Sequence, residues 1–433
     1  MNILLISYWF PPLNTIAALR IYAYAKYLTK SGYDVTVLTS ATKDSSQESS
    51  TDLDLSGIKI VRVNFGTASS IDNINKIRQS GVNEHNIGQS FTINILRICE
   101  KLKNYLFGNF FTPEDFWLLR AHSKAKNLCH HTCFDAVISS SGPISAHFIA
   151  YFLKKKYVRI LWFADYRDMW SHNDLFAKPK WPLSFIQRRL EKCINNAADY
   201  LITVSEPLRN LLSGNSNTRT LLIENGFFPE DVLLEDYSDA NDDDGIFYLA
   251  HTGTIYAKYD IEPLLLAICE LIEDNRIVRD KIRMLFYGDN VTQLEPMIRQ
   301  YELTDICMLK GKISRQESLR IQRKSSALLF LGHESALTKG ILTGKIFEYL
   351  IAAKPIIAIG ITEDSSAGKL IHETNTGYVC GTDVQHIKAA IMNSVGMMPL
   401  EPNVEAINAY RRDRLVDKLC AVLRHDMPSR LTT

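Results

Sequence analysis

The stretch LTGKIFEYLIAAKPIIAIG, Leu342–Gly360, brings Gly344 and Lys345 to the mouth of an expected helix and sets Glu348 in its first turn. The first N–H groups of a helix have no partners within it and carry the positive end of its dipole. Such a start is an anion site, and Lys345 adds a cation to it. A carboxylate this close to a phosphate needs a different, neutral polar partner, and the hydroxyl pair of a sugar suits Glu348.

Three other turns carry the same residue types. HTGTIYAKY follows IFYLA, YGD follows RMLF, and GKIS follows CML, while GHESALTKGILTGK follows ALLFL and leads into the Lys345 helix. Each apolar run reads as a buried strand, so the turns place Gly253, Thr254, Lys258, Gly288, Lys312, Gly344 and Lys345 on one rim. A single glycine turn occurs in every doubly wound fold, and a single lysine is ordinarily a solvated surface residue. Four such turns with helix starts beside them make a diphosphate site.

A second charged cluster lies in FADYRDMW, Phe163–Trp170. Asp165, Arg167 and Asp168 follow a buried strand, where charges face a cleft or are paired at a cost. They are assigned to acceptor binding, with Asp165 near the attacking hydroxyl; an Asp–Arg–Asp network capping the strand ends is the competing expectation. Arg20, near the start of the first helix, is a further candidate for phosphate or acceptor contact and has a similar structural alternative. CHHTC, Cys129–Cys133, has metal-ligand residues but no second pair elsewhere to complete a zinc site. It reads as a helix end before the next strand.

The elements that must position these residues follow from the alternation of patterns along 433 residues, a length that calls for two or three domains. Continuous apolar runs such as ILLIS, VTVLT, LWFAD and LITVS alternate with amphipathic segments such as ALRIYAYAKYLTKSG and SFIQRRLEKCINNA. Repeated strand–crossover–strand order builds a parallel sheet covered on both faces. The polar stretch EDYSDANDDDG, Glu235–Gly245, interrupts the order, which then restarts. The expected fold is therefore α/β, two doubly wound Rossmann-like domains facing across a cleft. Residues 1–228 form the first and 229–403 the second, with one long helix over 404–425 crossing back onto the first. Pro11–Pro12 reads as a rigid turn, and Tyr22, Tyr24 and Tyr27 as the packed and half-exposed sides of one helix, without assigned roles.

Apolar residues make up 46% and charged residues 22%, and the formal net charge is +1, which excludes a general nucleic-acid binder by bulk charge. The charge is uneven. Residues 1–235 hold 26 Lys+Arg against 21 Asp+Glu, and the remainder 23 against 27. The basic excess is sharpest over Lys76–Lys126, interleaved with aromatic residues from Tyr105 to Trp117. This stretch fits peripheral contact with an anionic membrane or an amphipathic substrate, and equally an amphipathic helix packed on its own domain. Eight cysteines without a spaced framework, a first residue leading straight into a strand, and no run near the length of a membrane span give a cytoplasmic expectation with reduced thiols.

Taken together, GKIFEYLIAAKPIIA, HTGTIY and NILLISYWFPP…LRIYAYAKYLTKSGYDVTVLT resemble the retaining, nucleotide-sugar-dependent glycosyltransferases of family four, which have the GT-B fold. The resemblance spans almost the whole chain, with GKIFEYL…KP its most specific element. It implies a nucleoside-diphosphate-sugar donor held by the second domain, a glycan acceptor on the first, no cofactor and no essential metal. It implies that Glu348 binds the nucleotide ribose, that Lys345 and Lys258 lie near the diphosphate, and that Gly253–Thr254 approach it. Segments similar to ADxRDxW, here carrying Asp165, Arg167 and Asp168, occur in a branch making surface polysaccharides, so a lipid-linked acceptor and capsule, O-antigen or exopolysaccharide synthesis are implied.

The chain departs from the family at three places. Gly340 stands where the first glutamate of the family's pair belongs, and Glu334 is out of register. The usual Gly-Gly of the first turn is replaced by Asn14–Ala18. The usual histidine after the fourth strand is Ser140 or Ser141, leaving His147, about a turn onward, as an acceptor or phosphate candidate. A nucleotide-sugar 2-epimerase and a catalytically silent nucleotide- or glycan-binding scaffold subunit are the alternatives. A nicotinamide dehydrogenase is disfavoured because SYWFPPLN lacks the GxGxxG turn.

Overall fold

The computed structural model describes residues 1–41, 53–64, 107–172, 178–232, 245–333, 342–396, 398 and 400–431. The chain divides into two compact units. One comprises Met1–Val204, Leu208–Ile223 and the chain from Leu419; the other comprises Ser205–Pro207 and Glu224–Lys418.

The first unit is a seven-stranded parallel sheet in the order β3-β2-β1-β4-β5-β6-β7. Its strands are β1 (Asn2–Ile6), β2 (Asp34–Ser40), β3 (Lys59–Val63), β4 (Ala136–Ser140), β5 (Leu161–Tyr166), β6 (Tyr200–Thr203) and β7 (Arg219–Leu222). Its crossover helices are α1 (Ile16–Lys30), α2 (Trp117–His131), α3 (Ser145–Lys156), α4 (Leu183–Ala197) and α5 (Glu206–Asn215). From β1 the chain moves one way to β2; from β3 through β4, β5 and β6 it moves the other way. Right-handed crossovers then put α2, α3 and α4 on the face opposite α1. Helices on both faces account for strands buried along their length, as in β5. Thr15 caps α1 through its side chain, accepting from Ala18 N at 3.1 Å, and Gly32 ends the helix at φ +85°. Tyr22, Tyr24 and Tyr27 are all buried, so none is the half-exposed residue expected.

The second unit is a six-stranded parallel sheet in the order β10-β9-β8-β11-β12-β13. Its strands are β8 (Phe247–Thr252), β9 (Ile282–Tyr287), β10 (Cys307–Lys310), β11 (Ala327–Leu331), β12 (Ile356–Ile359) and β13 (Gly377–Gly381). The helices are α6 (Pro229–Val232), α7 (Glu262–Glu273), α8 (Glu295–Gln300), α9 (Arg315–Lys324), α10 (Gly344–Ile351), α11 (Ser366–Thr374) and α12 (Val384–Val395). Two more follow, α13 (Val404–Ala409) and α14 (Arg412–Leu431).

The single helix expected over 404–425 is thus broken at Tyr410–Arg411. There Phe227 N donates to Tyr410 O at 3.1 Å and Arg412 N donates to Phe227 O at 2.9 Å. A strand-like bridge to Phe227 diverts the groups a continuous helix needs. Gly226, at φ +64°, permits the approach, since a Cβ there would lie 2.3 Å from Tyr410 O.

Strand order reverses between β1 and β4 in one sheet and between β8 and β11 in the other, and ligands of such sheets bind beyond the carboxyl ends of the strands at these points. Most candidate residues of the sequence lie in the turns and helix starts just beyond the strands, while Arg20 and His147 lie within α1 and α3.

Candidate functional site

In the six-stranded unit the rim is built on two glycines. Gly253 N donates to Tyr287 O at 2.7 Å, Gly288 N to Gly311 O at 3.1 Å, and Ile255 N to Asp289 O at 2.9 Å, so three neighbouring strand ends are stitched past the sheet proper. Gly253 and Gly288 hold φ +138° and +136°, values that side chains other than glycine's rarely allow. A Cβ on Gly288 would sit 2.2 Å from Gly253 O, and a Cβ on Gly253 would sit 2.6 Å from Lys345 Cε and 2.8 Å from its Nζ. The Lys345 side chain therefore lies directly over Gly253, held by the helix α10 that follows β11.

A buried histidine fixes that lysine. His251, in β8, is fully buried; its Nδ1–H donates to Leu329 O at 3.0 Å, which leaves Nε2 to accept from Lys345 Nζ at 3.1 Å. Burial and the neighbouring ammonium push the His251 pKa well below the usual imidazole range, so the ring stays neutral. Burial also brings Lys345 down to about 7, with Glu348 acting in the opposite direction. Lys345 is thus a cation poised to change charge near neutrality. Thr343, at the N-cap of α10, makes no side-chain capping bond, and in the first turn Ile346 N donates to Thr343 O at 3.3 Å.

Within the protein Glu348 is ion-paired through one of its two oxygens. Its Oε1 accepts from Arg315 Nε at 3.1 Å, and Arg315 also grips Asp231 with two bonds, of 3.0 and 2.5 Å. These pairings hold the Arg315 pKa above even its usual high value. Glu348 Oε2 has a long contact, 3.5 Å, from Gln322 Nε2, whose stronger bonds go to Thr252 Oγ1 (2.8 Å) and Ser318 Oγ (3.0 Å). Glu348 thus has one oxygen tied and one only weakly held.

Other expected rim residues are less engaged. Gly344 is buried in the first turn of α10 and Thr254 is half-buried after Gly253, while Lys258 is exposed in the same loop. Lys312 lies 3.5 Å from Asp289, an exposed pair of little energetic weight. Gly340 and Glu334, at the family's first glutamate, lie outside the described residues.

In the seven-stranded unit the acid expected near an attacking hydroxyl is sealed in the core. Asp165 accepts three bonds from Arg20 (2.6, 3.0 and 3.2 Å) and one from Ser140 Oγ at 2.9 Å, with Tyr24 OH at 3.5 Å. Arg20 and Asp165 are 1% and 0% exposed, so this is a buried ion pair joining α1 to the carboxyl end of β5. Neither member presents a free group to solvent, which argues against direct phosphate or acceptor contact for Arg20 and for a positioning role for Asp165.

The expected Asp–Arg–Asp network does not form, because Arg20 takes Asp165. Arg167 instead donates to Ser141 O at 2.6 and 3.2 Å and to Gly142 O at 3.3 Å, clamping the turn after β4, and burial lowers its pKa. Gly142, at φ +83°, leaves room for the clamp: a Cβ there would sit 2.5 Å from the Arg167 guanidinium. Asp168 is exposed beside it. Arg167 and Asp168 thus stand at the strand ends, over the turn that follows the sheet's reversal point.

His147 is fully buried on α3, against Tyr166 and with Nδ1 2.8 Å from Ser139 Oγ, and burial drives its pKa down to about 3. A neutral ring sealed in the core cannot serve as the acceptor or phosphate contact proposed for it. Among the described residues no group of His, Cys, Asp and Glu is arranged to hold a metal ion.

Four residues of the rim escaped the sequence reading: His251, Arg315, Asp231 and Gln322. The signal for His251 was a histidine inside the otherwise apolar strand IFYLAH. Asp231, in the four-residue helix α6, offered no signal.

No protein-family model matches the chain, and neither does any curated protein. Solved structures do. The chain is similar to a sucrose-phosphate synthase from Thermosynechococcus elongatus, at 14% identity and TM-score 0.62 over 99% of this chain and 100% of that one. It is similar to an alpha,alpha-trehalose-phosphate synthase (UDP-forming) from Burkholderia xenovorans, crystallised with glucose-6-phosphate, at 11% identity and TM-score 0.63 over 98% and 100%. It is also similar to WaaG, a glycosyltransferase involved in lipopolysaccharide biosynthesis, at 11% identity and TM-score 0.55 over 98% and 100%. At such identities the likeness defines the fold, the two Rossmann-like α/β units of GT-B proteins.

Proposed function

We propose that this chain is a retaining, metal-independent glycosyltransferase that moves a sugar from a nucleoside-diphosphate sugar to a glycan acceptor. The acceptor is lipid-linked at the inner face of the cytoplasmic membrane, in capsule, O-antigen or exopolysaccharide synthesis. The observation that carries the reading is Lys345, held over Gly253 by His251 at the start of α10. The glycosyltransferase fold shared with the solved structures supports it.

In this reading the diphosphate lies across Gly253 and Gly288, where no Cβ obstructs close approach. Glycosyl transfer builds negative charge on the departing diphosphate, and Lys345 together with the first N–H groups of α10 stabilises that charge without a metal ion. Glu348 uses its weakly held Oε2 to accept from the ribose hydroxyls, while Arg315 fixes its Oε1. The bond from the sugar C1 to the phosphate oxygen breaks as the acceptor oxygen bonds C1 on the same face, and the acceptor proton passes to the leaving phosphate. A departing phosphate that serves as base needs no separate carboxylate. This agrees with Asp165 being sealed by Arg20, and it assigns Asp165 to holding the strand end, with Arg167 and Asp168 facing the acceptor.

The test is thermal stabilisation by a panel of nucleoside diphosphates and their sugars, with and without EDTA. A ligand at a hundred times its Kd stabilises by about 2.7 kcal/mol. One nucleotide should give a shift that survives EDTA and shrinks in Glu348→Gln, whose own melting stays near the wild type's because Arg315 keeps Asp231. Flat curves across the panel sink the reading. Sugar epimerised in a reaction with donor alone replaces it with the 2-epimerase alternative.

A further inference from the structure

The helix layer of the seven-stranded unit opposite α1 carries one sign of charge. Helices α2, α3 and α4 hold nine Lys and Arg and one acid, Glu191. Glu191 is buried and consumed within the unit, accepting from the backbone N–H groups of Trp170 (3.0 Å) and Ser171 (3.2 Å). Among the basic residues only Lys154 is ion-paired, with Asp199 at 2.7 Å. The other eight are exposed and make no ion pair among the described residues. Arg120, Lys124 and Lys126 are on α2, and Lys155 and Lys156 end α3. Arg188, Arg189 and Lys192 are on α4.

One end of this layer is also apolar. Crossover helices begin at the carboxyl ends of the strands, so the first turns of α2 and α4 share the rim of Arg167 and Asp168. At the start of α2, Phe116 is 67% and Leu119 79% exposed; before and within α4, Trp181 is 82% and Phe185 49% exposed. The two groups are tied together through Asn109, which accepts from Gln187 Nε2 of α4 at 3.1 Å and exchanges bonds of 2.7 and 3.1 Å with Trp170. Phe110 packs on the same Trp170 ring at 5.7 Å. The fold therefore displays large, exposed apolar side chains in a basic field.

We propose that this end of the α2–α3–α4 layer docks on an anionic membrane, with Trp181, Phe185, Phe116 and Leu119 entering the headgroup region and Arg120, Arg188 and Arg189 facing anionic lipid. Aromatic and aliphatic side chains set among Lys and Arg on one face are the composition of interfacial binding. A second copy of the chain is disfavoured as occupant, because two such ends, each carrying Arg120, Arg188 and Arg189 without an ion-pair partner among the described residues, repel. The docking deepens the reading above by naming the surface where a lipid-linked acceptor is met. It needs neither donor nor acceptor, so its failure and that of the glycosyltransferase reading are separable.

The experiment is cosedimentation of the full chain with phosphatidylcholine vesicles, with and without about one-third phosphatidylglycerol. Binding to the anionic vesicles and not to the neutral ones is expected, falling steeply with added salt. Each basic residue near an anionic surface is worth about fivefold in affinity, so Arg188→Glu/Arg189→Glu should weaken binding at least about 25-fold. Trp181→Ser/Phe185→Ser should also weaken it, and both variants, altered only at exposed positions, should melt like the wild type. Arg276→Glu/Lys324→Glu, exposed on the other unit, should bind unchanged. Three results overturn the proposal: no sedimentation of the wild type with anionic vesicles, equal loss in the control variant, or full binding by Trp181→Ser/Phe185→Ser. The last marks a site for soluble polyanions.

Discussion

Raising the pH from 6 to 8 should weaken sugar-nucleotide binding about tenfold, and the reason lies in one lysine. Lys345 has its pKa depressed to about 7 in the free protein, and the diphosphate selects its ammonium form. With a free pKa of 7, the penalty for binding only the protonated form is a factor of one plus ten to the power of pH minus 7. That factor rises from ~1.1 at pH 6 to ~11 at pH 8, which is about 1.4 kcal/mol. The sign is fixed: affinity is full below the free pKa and falls as pH rises through it, levelling only above the raised pKa of the complex. His251 does not contribute, because its pKa lies well below this window. The assay is calorimetry with the nucleoside-diphosphate sugar selected by the thermal panel, whose phosphates do not titrate here, in buffers of different ionisation enthalpy. Net uptake of about half a proton is expected at pH 7. Affinity flat from pH 6 to 8 with no proton uptake refutes the placement of the diphosphate at Lys345.

Three further substitutions test the arrangement. Lys345→Met should lose the nucleotide-induced shift yet melt at or above the wild type, more so at pH 6 than at pH 9. The depressed folded pKa makes the ammonium oppose folding most at low pH, so a lower melting point at pH 6 contradicts this. Asp165→Asn strands the buried Arg20 guanidinium and should cost about 3–5 kcal/mol in unfolding experiments; unchanged stability with lost turnover would return Asp165 to the catalytic machinery. Gly288→Ala forces a Cβ to 2.2 Å from Gly253 O at φ +136°, with an expected loss of about 1–3 kcal/mol and of the nucleotide-induced shift. Wild-type melting and an intact shift in that variant remove the two-glycine platform from the site.

Much of this protein was legible in its residue order because the signals were local. A strand buried on both faces needs a continuous apolar run, and ILLIS, LWFAD and ALLFL announced β1, β5 and β11 for that reason. Gly253 and Gly288 were legible because a turn at a strand end with positive φ admits little else. Lys345 stood at a helix start that any reader of helix termini would mark. Alternation of runs and amphipathic segments then set two parallel sheets, since short crossovers allow few other topologies.

What stayed hidden depended on partners far away in the chain. Glu348 and Arg315 are 33 residues apart, and Arg20 and Asp165 are 145 apart; strand order, not spacing, brings them together. A carboxylate read alone can be a ribose contact, a base or half of an ion pair, and only its neighbours in space decide. The break at Tyr410 was invisible for the same reason, because helical propensity runs through it and the competing hydrogen bonds come from Phe227. Sequence alone determined which residues stand at the strand ends, through the fit of each side chain to its own backbone and to burial. The tertiary structure decided which of those residues keep a free charge, because desolvation and pairing are properties of neighbours, and it left Lys345 poised near neutrality while sealing Asp165 and His147 in the core.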